Sequence, residues 1–256
     1  MEEALFITEP IDLVDLPDRY KRIYFGNEFC QRLIPADKEL NQVLDITLSK
    51  GLQFTFVTGF VTDAALDYLK DLLAIISGRD PKAEVVINDW GMLNAVKEHN
   101  LTPVIGRLLT KQKRDPRMVN LPRRLPQKAV ECSKASGISQ YLIRFLKDNS
   151  VERLEIDNLP QSIRISDYVK AGITHLSMYF PFNYVTTSRQ CLFDNGYCQK
   201  KCRHNTIILK HRTMPLPLQL KGNTIFVENR QMPDSLTLDK IDRIVYQQIT
   251  PEQTKP

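Results

Sequence analysis

The stretch Cys191-Leu-Phe-Asp-Asn-Gly-Tyr-Cys198-Gln-Lys-Lys-Cys202-Arg-His204 gathers three of the chain's five cysteines into a dozen positions and follows them with a histidine. Thiolates and imidazoles are the usual protein ligands of zinc, and thiolates those of iron–sulfur clusters. Cys198 and Cys202 stand four residues apart, so one turn of helix would aim both sulfurs the same way. Cys191 lies seven residues before Cys198, across a loop whose Asn195-Gly196 pair can supply the positive φ that folds it back. Three thiolates can converge there. A fourth ligand is then needed, because such centres usually take four from the protein. Cys30, just after Gly26-Asn27-Glu28, is well placed to provide it, and for zinc His204 would serve too. Cys132, in Lys128-Ala-Val-Glu-Cys-Ser, reads as the start of a helix, where a lone cysteine is usually inert filler. Spacing alone leaves a [4Fe-4S] cluster, a zinc site and unliganded thiols all open.

The elements that must position these residues form a repeating pattern of short apolar run, polar turn and helix. Arg22–Asn27 leads into a helical pattern over 38–51, with Leu40, Val43, Leu44 and Leu48 at helical spacing. Gln53–Gly59 leads into a helix over Asp63–Ser77, with Asp63 as N-cap and Gly78 just past its end. Ala83–Asn88 precedes a helix over 91–100, and Thr102–Arg107 precedes a long basic loop and a helix over 138–149. Val151–Asp157 and Thr174–Tyr179 flank a short helix over 162–172. After the cysteines, 206–210 and 216–220 read as a hairpin, and Thr224–Glu228 and Ile241–Tyr246 supply the last strands. Eight parallel strands with interleaved helices predict a TIM-type (β/α)8 barrel, irregular where the later helices shorten. The alternative, an open doubly wound sheet, lacks any Gly-x-Gly-x-x-Gly or P-loop after a strand.

A length of 256 residues suits one such barrel, and we read 1–256 as a single domain. The chain is 42% hydrophobic and 25% charged, which is ordinary for a soluble protein, and no apolar run approaches the ~18 residues of a membrane span. The acidic start Met-Glu-Glu-Ala-Leu-Phe-Ile lacks the basic region of a signal peptide, so a cytoplasmic, reducing setting is expected. There, clustered cysteines are more often metal ligands or catalytic thiols than disulfides.

Barrel active sites are built at the C-terminal ends of the strands. Polar residues collect at those positions: Asn27-Glu28, Asn88-Asp89, Arg107, Asp157-Asn158 and Glu228-Asn229. A shared polar pocket at the mouth is therefore expected, with Glu28, Asp89, Asp157 and Glu228 able to relay protons and Arg107 able to hold an anionic substrate group. The bland alternative is that these residues pair with one another as a structural layer. The net charge of +5 is unevenly placed, with eight basic residues against Asp115 alone between Arg107 and Lys128, and six against no acid between Cys198 and Lys221. In loop 111–124, Lys111, Lys113, Arg114, Arg117, Arg123 and Arg124 could meet RNA or another polyanion, or simply stand in solvent.

Four pieces of the chain together resemble a known family: Ile23-Tyr-Phe-Gly-Asn-Glu-Phe-Cys30, Ile87-Asn-Asp-Trp-Gly-Met-Leu93, Pro103-Val-Ile-Gly-Arg107, and Cys191 through Cys202. The family is the collagenase-like peptidases of unknown catalytic type, family U-thirty-two. The pattern is most similar to a short branch that includes the iron–sulfur subunits of oxygen-independent ubiquinone biosynthesis. That resemblance implies a [4Fe-4S] cluster on Cys30, Cys191, Cys198 and Cys202, an oxygen-independent hydroxylation of a quinone precursor or RNA base, and a paralogous partner subunit. A collagenase-like peptidase, or a zinc-stabilised structural or partner subunit, is the alternative. The peptidase label finds little support in the residues, since neither His-Glu-x-x-His nor Gly-x-Ser-x-Gly is present.

Overall fold

The computed structural model describes residues 1–13, 16–110, 112–120, 126, 128–130, 138–194 and 197–249. Lys111, Arg123, Arg124, Cys132 and the Asn195-Gly196 pair lie outside the described residues. Seven parallel strands run in order: β1 (Glu2–Ile7), β2 (Arg22–Gly26), β3 (Gln53–Val57), β4 (Glu84–Ile87), β5 (Thr102–Ile105), β6 (Arg153–Asp157) and β7 (His175–Phe180). Four antiparallel strands then interrupt them: β8 (Phe182–Thr187), β9 (Ile207–Leu209), β10 (Leu218–Lys221) and β11 (Thr224–Glu228). Finally β12 (Arg243–Gln247) pairs with both β7 and β1, closing an eight-stranded parallel barrel. The TIM-type barrel expected from the sequence is the fold observed.

Two strand assignments are corrected. The first barrel strand is Glu2–Ile7, which had read only as an acidic terminus. Conversely, Thr224–Glu228 is not a barrel strand; it lies in a four-stranded sheet of order β8-β11-β10-β9. The expected hairpin is β9 and β10 of that sheet. Short apolar runs do not reveal whether their partners will be parallel or antiparallel.

Between the strands lie α1 (Asp37–Ser49), α2 (Asp63–Arg79), α3 (Met92–Glu98), α4 (Gln140–Asp148) and α5 (Ile165–Lys170), with a single turn, α6 (Ser235–Leu238), before β12. Each longer helix buries one stripe against the barrel wall. In α2 this is Leu69, Leu72, Leu73 and Ile76, the spacing of one helix face. Its N-cap is Thr62 and it continues through Gly78, so glycine does not end it as expected.

Inside the barrel, alternation along the strands stacks three layers. Charged first residues of the strands form the lowest layer. Arg22 and Arg243 both grip Glu2, at 2.9 and 2.6 Å, while Glu84 takes Arg243 at 2.5 Å and Arg153 at 3.6 Å. Above it, Phe6, Tyr24 and Tyr179 meet edge to face at 6.2 to 6.5 Å among Val86, Val104 and Val245. The upper layer is the mouth. β2 reaches it through Gly26, whose φ of +137° few other residues adopt and whose absent Cβ would stand 2.1 Å from the Val57 carbonyl oxygen. Gly26→Ala is expected to cost about 3 kcal/mol, from backbone strain and overlap together. A denaturation midpoint equal to that of the parent would refute this.

Candidate functional site

The barrel mouth is built around Arg107, which follows β5 and is fully buried. Its Nε and Nη2 donate to the two carboxylate oxygens of Glu28 at 2.8 and 2.6 Å. Nη1 donates to Asp157 Oδ1 at 2.8 Å and to the Phe182 carbonyl at 3.0 Å, and Nη2 also donates to Gln247 Oε1 at 2.7 Å. All five guanidinium N–H groups are thereby spent. The Tyr179 ring lies 3.8 Å beneath the guanidinium carbon. Burial works to lower the Arg107 pKa, but the carboxylates of Glu28 and Asp157 outweigh it and hold the group well above its ordinary value.

Three of the five expected mouth residues, Glu28, Arg107 and Asp157, are thus brought together. Asp89 is not among them: its oxygens accept from the backbone N–H of Gly91 at 2.9 Å and Val61 at 3.3 Å, so it shapes the turn into α3. Glu228 ends β11 and pairs with the exposed Arg230. Its placement at a barrel strand end is corrected, because β11 is not in the barrel. Arg114 also turns inward, giving Nε to Asp157 Oδ2 at 2.8 Å and lying 4.1 Å from the Tyr184 ring. Arg117 pairs with Asp115. Two of the loop's basic residues therefore serve the protein's own acids. They are not a free cationic face.

Over the mouth, Phe182, Tyr184 and Phe226 of the antiparallel sheet pack on Phe29 and Ile249. This apolar layer seats the sheet, and with it the loop that carries the late cysteines. Asn27 Oδ1 accepts from the N–H of Phe29 at 3.0 Å and of Cys30 at 2.8 Å, an Asx turn that fixes the Cys30 backbone just past the end of β2. Cys30, Cys191, Cys198 and Cys202 all line one cavity of about 100 Å³. All four are free thiols. The expected helical turn through Cys198 and Cys202 is replaced by a loop and a 3-10 turn, Lys201–Arg203, entered through Lys200 at φ 54°. His204 lines the neighbouring grooves and is absent from this cavity's wall. Among the described residues, no three His, Cys, Asp or Glu side chains already stand in metal-ligating positions, so the site is a cavity with four thiol walls and no preformed tetrahedron.

Burial pushes the Cys30 thiol up, and the nearby Cys198 and Cys191 add to it. Burial, then Cys191, Cys30 and Cys198, push Cys202 up to about 11. The neighbouring sulfurs are thus near enough for their charge to be felt at Cys30 and Cys202, and thiolates gathered in one cavity need a compensating positive charge. Two cations line the same wall. Arg32 hydrogen-bonds the Cys198 sulfur and pairs with Asp194, tying the Cys30 loop to the late cysteine loop. Lys221 ends β10 beside Gly222, whose φ is +61° and whose missing Cβ would lie 3.3 Å from Cys202 Cβ.

Gln247 and Gln248 separate this cavity from an open groove of about 850 Å³ whose walls include Tyr20, Tyr246, Phe180 and Arg19. The Arg19 guanidinium lies 4.7 and 4.6 Å from the Tyr20 and Tyr246 rings. Sequence reasoning missed Gln247, although it ends a strand as Asp157 does. Nothing in the sequence marked Arg32, and Lys221 stood out only as one of six basic residues facing no acid; the placement of both beside the thiols arises from segments distant in the chain.

No protein-family model matches the sequence, and no curated protein matches it. The solved structure of the U32 peptidase Mk0906 superimposes with a TM-score of 0.54 over 100% of this chain and 94% of that one, at 10% identity. A class V chitinase mutant from Cycas revoluta, in complex with (GlcNAc)3, gives 0.41 at 9% identity, over 97% and 95% of the two chains. Among the described residues no helix is long and apolar enough to cross a membrane. The chain shares the barrel fold of a U32 peptidase structure.

Proposed function

We propose that this chain is an iron–sulfur protein of oxygen-independent hydroxylation, acting alone or beside a paralogous partner subunit, with Cys30, Cys191, Cys198 and Cys202 holding a [4Fe-4S] cluster. The observation that carries this reading is the gathering of four free thiols in one cavity that shares Gln247 and Gln248 with an open groove. The residues fit such a group. Four sulfurs match its usual ligand number, Arg32 and Lys221 oppose the negative charge of four thiolates, and Gly222 leaves room beside Cys202.

When bound, a cluster of this kind supplies one-electron chemistry. The chain's own residues would bind and orient the substrate. Tyr20, Tyr246 and Phe180 offer aromatic surface to the ring of a quinone precursor or RNA base, and Arg19 offers a charge to an anionic substituent. Gln247, braced by Arg107, would hold the reacting edge toward the thiol cavity. Hydroxylation without dioxygen balances as R–H + X–O → R–OH + X, where X–O is an oxygen-donating co-substrate.

Protein purified without air is expected to be brown and to carry about four irons and as many sulfides per chain. Cys30→Ala, Cys191→Ala, Cys198→Ala and Cys202→Ala should each abolish this, while Cys132→Ala retains it. Stoichiometric zinc with no sulfide would sink the reading. The fold likeness to a U32 peptidase favours a second one, a collagenase-like peptidase, for which these thiols would be the candidate nucleophiles. Against it, Cys30 and Cys202 are pushed up by burial, the reverse of an activated nucleophile. Peptidase activity that survives removal of the metal would decide for that second reading.

A further inference from the structure

Lys221 lies where an ordinary surface lysine would not. It is largely buried, lines the thiol cavity, and gives its ammonium to a neutral acceptor, the Ile249 carbonyl oxygen, at 2.8 Å. The acids near enough to feel its charge, Asp12 and Glu9, are committed elsewhere. Asp12 accepts from the backbone N–H of Thr8 and Glu9 at 3.3 and 3.2 Å, and Glu9 pairs with Arg203 at 3.4 Å. Across the cavity, Arg32 is already paired with Asp194. An ammonium buried without a carboxylate partner is costly unless another anion balances it. The Cys202 side of the cavity is the place for that anion, since Gly222 follows Lys221 directly and Cys202 lies against it.

We infer that Lys221 is the counter-charge of a thiolate-bound anionic centre in this cavity, and that it sets how readily that centre accepts an electron. The inference rests on the cluster reading above. A fixed positive charge favours the more negative, reduced state, so removing it must lower the reduction potential. Lys221→Met keeps most of the side chain's length and apolar stem but removes the charge together with the terminal nitrogen, whereas Lys221→Arg keeps the charge.

The experiment is a dye-mediated redox titration of the anaerobically purified full chain, followed by electron paramagnetic resonance, with iron and sulfide measured on each sample. In Lys221→Met the ratio of reduced to oxidised centre at fixed potential should fall about tenfold, which is about 59 mV for a one-electron couple, while Lys221→Arg stays near the parent. A parent and Lys221→Met that load equally and titrate together would overturn the inference and leave the cluster reading standing. If the parent takes up no iron and sulfide, the cluster reading fails instead, and the counter-charge is then read from zinc. Competition with a chelator should show Zn²⁺ held about tenfold more weakly by Lys221→Met than by the parent. Equal zinc affinities, or no zinc binding by the parent, would overturn the inference. Thermal unfolding of each variant separates these outcomes from misfolding, with Lys221→Arg as the folded control.

Discussion

Replacing Arg107 with methionine is expected to destabilise the protein by on the order of 5 kcal/mol, a large share of a domain's whole stability. The effect does not come from the lost contacts alone. Glu28 and Asp157 are themselves fully or almost fully buried, and Arg107 is their shared cation. Without it, among the described residues, Glu28 keeps only a long 3.4 Å contact from Gln247, while Asp157 retains Arg114. Breaking one buried pair by removing one partner typically costs about 3–5 kcal/mol, because the charge left behind is uncompensated. A second variant isolates that cause. Glu28→Gln combined with Arg107→Met removes the orphaned charge and should recover a substantial part of the loss in a chemical denaturation experiment. A single variant less than about 1 kcal/mol below the parent, or a double variant worse than the single, would show that the mouth is not held this way. With every N–H of Arg107 engaged, a substrate anion could reach it only by displacing one of these partners. The Arg107 network is therefore a scaffold first.

The second large effect concerns pH. Glu155 sits wholly inside the barrel, where burial first, and then the charge of Glu28, push its pKa from 4.5 up to about 8. Tyr179 donates to its Oε2 at 2.8 Å, and its Oε1 has no partner among the described residues. The folded protein thus keeps a proton on Glu155 that the unfolded chain releases. Stability is fully present below about pH 4.5, declines as pH rises, and is lost through about pH 8. At about 1.4 kcal/mol for each pH unit between those two values, the loss across the window is on the order of 5 kcal/mol. Glu155→Gln is neutral at every pH and should abolish this decline. It should match the parent near pH 5 and exceed it at pH 9. Parallel pH profiles of unfolding for parent and variant would refute the account.

Within the sequence alone, the β/α rhythm was legible because each strand is a short apolar run closed by a polar or glycine residue and each helix shows one apolar stripe. That is local information, and it sufficed for the barrel. The position of Arg107, Glu28 and Asp157 near one another was legible for the same reason: all three lie at the ends of parallel strands, and parallel strands in a closed barrel end on one rim. The same rule placed Cys30 at that rim. It misplaced Glu228, since the rule holds only for barrel strands and nothing local in Thr224–Glu228 says that its partners are antiparallel. It also passed over Glu2–Ile7, where the inward Glu2 hides the apolar pattern until Arg22 and Arg243 are seen to neutralise it.

What only the tertiary structure decided is partnership. The cysteine count and spacing come from the chain, but the wall that joins Cys30 to Cys191, Cys198 and Cys202 depends on the antiparallel sheet seating its aromatic face on Phe29. The choice of Arg107 as a saturated scaffold, of Arg114 as an inward partner of Asp157, and of Lys221 as the ammonium beside the thiols rests on distances between residues tens to more than a hundred positions apart. A sequence sets which charges exist and on which face of each element they lie. Which of them meet is set by closure of the barrel and by the sheet packed over its mouth, because Coulomb interaction and hydrogen bonding act over a few ångströms of space and carry no record of separation along the chain.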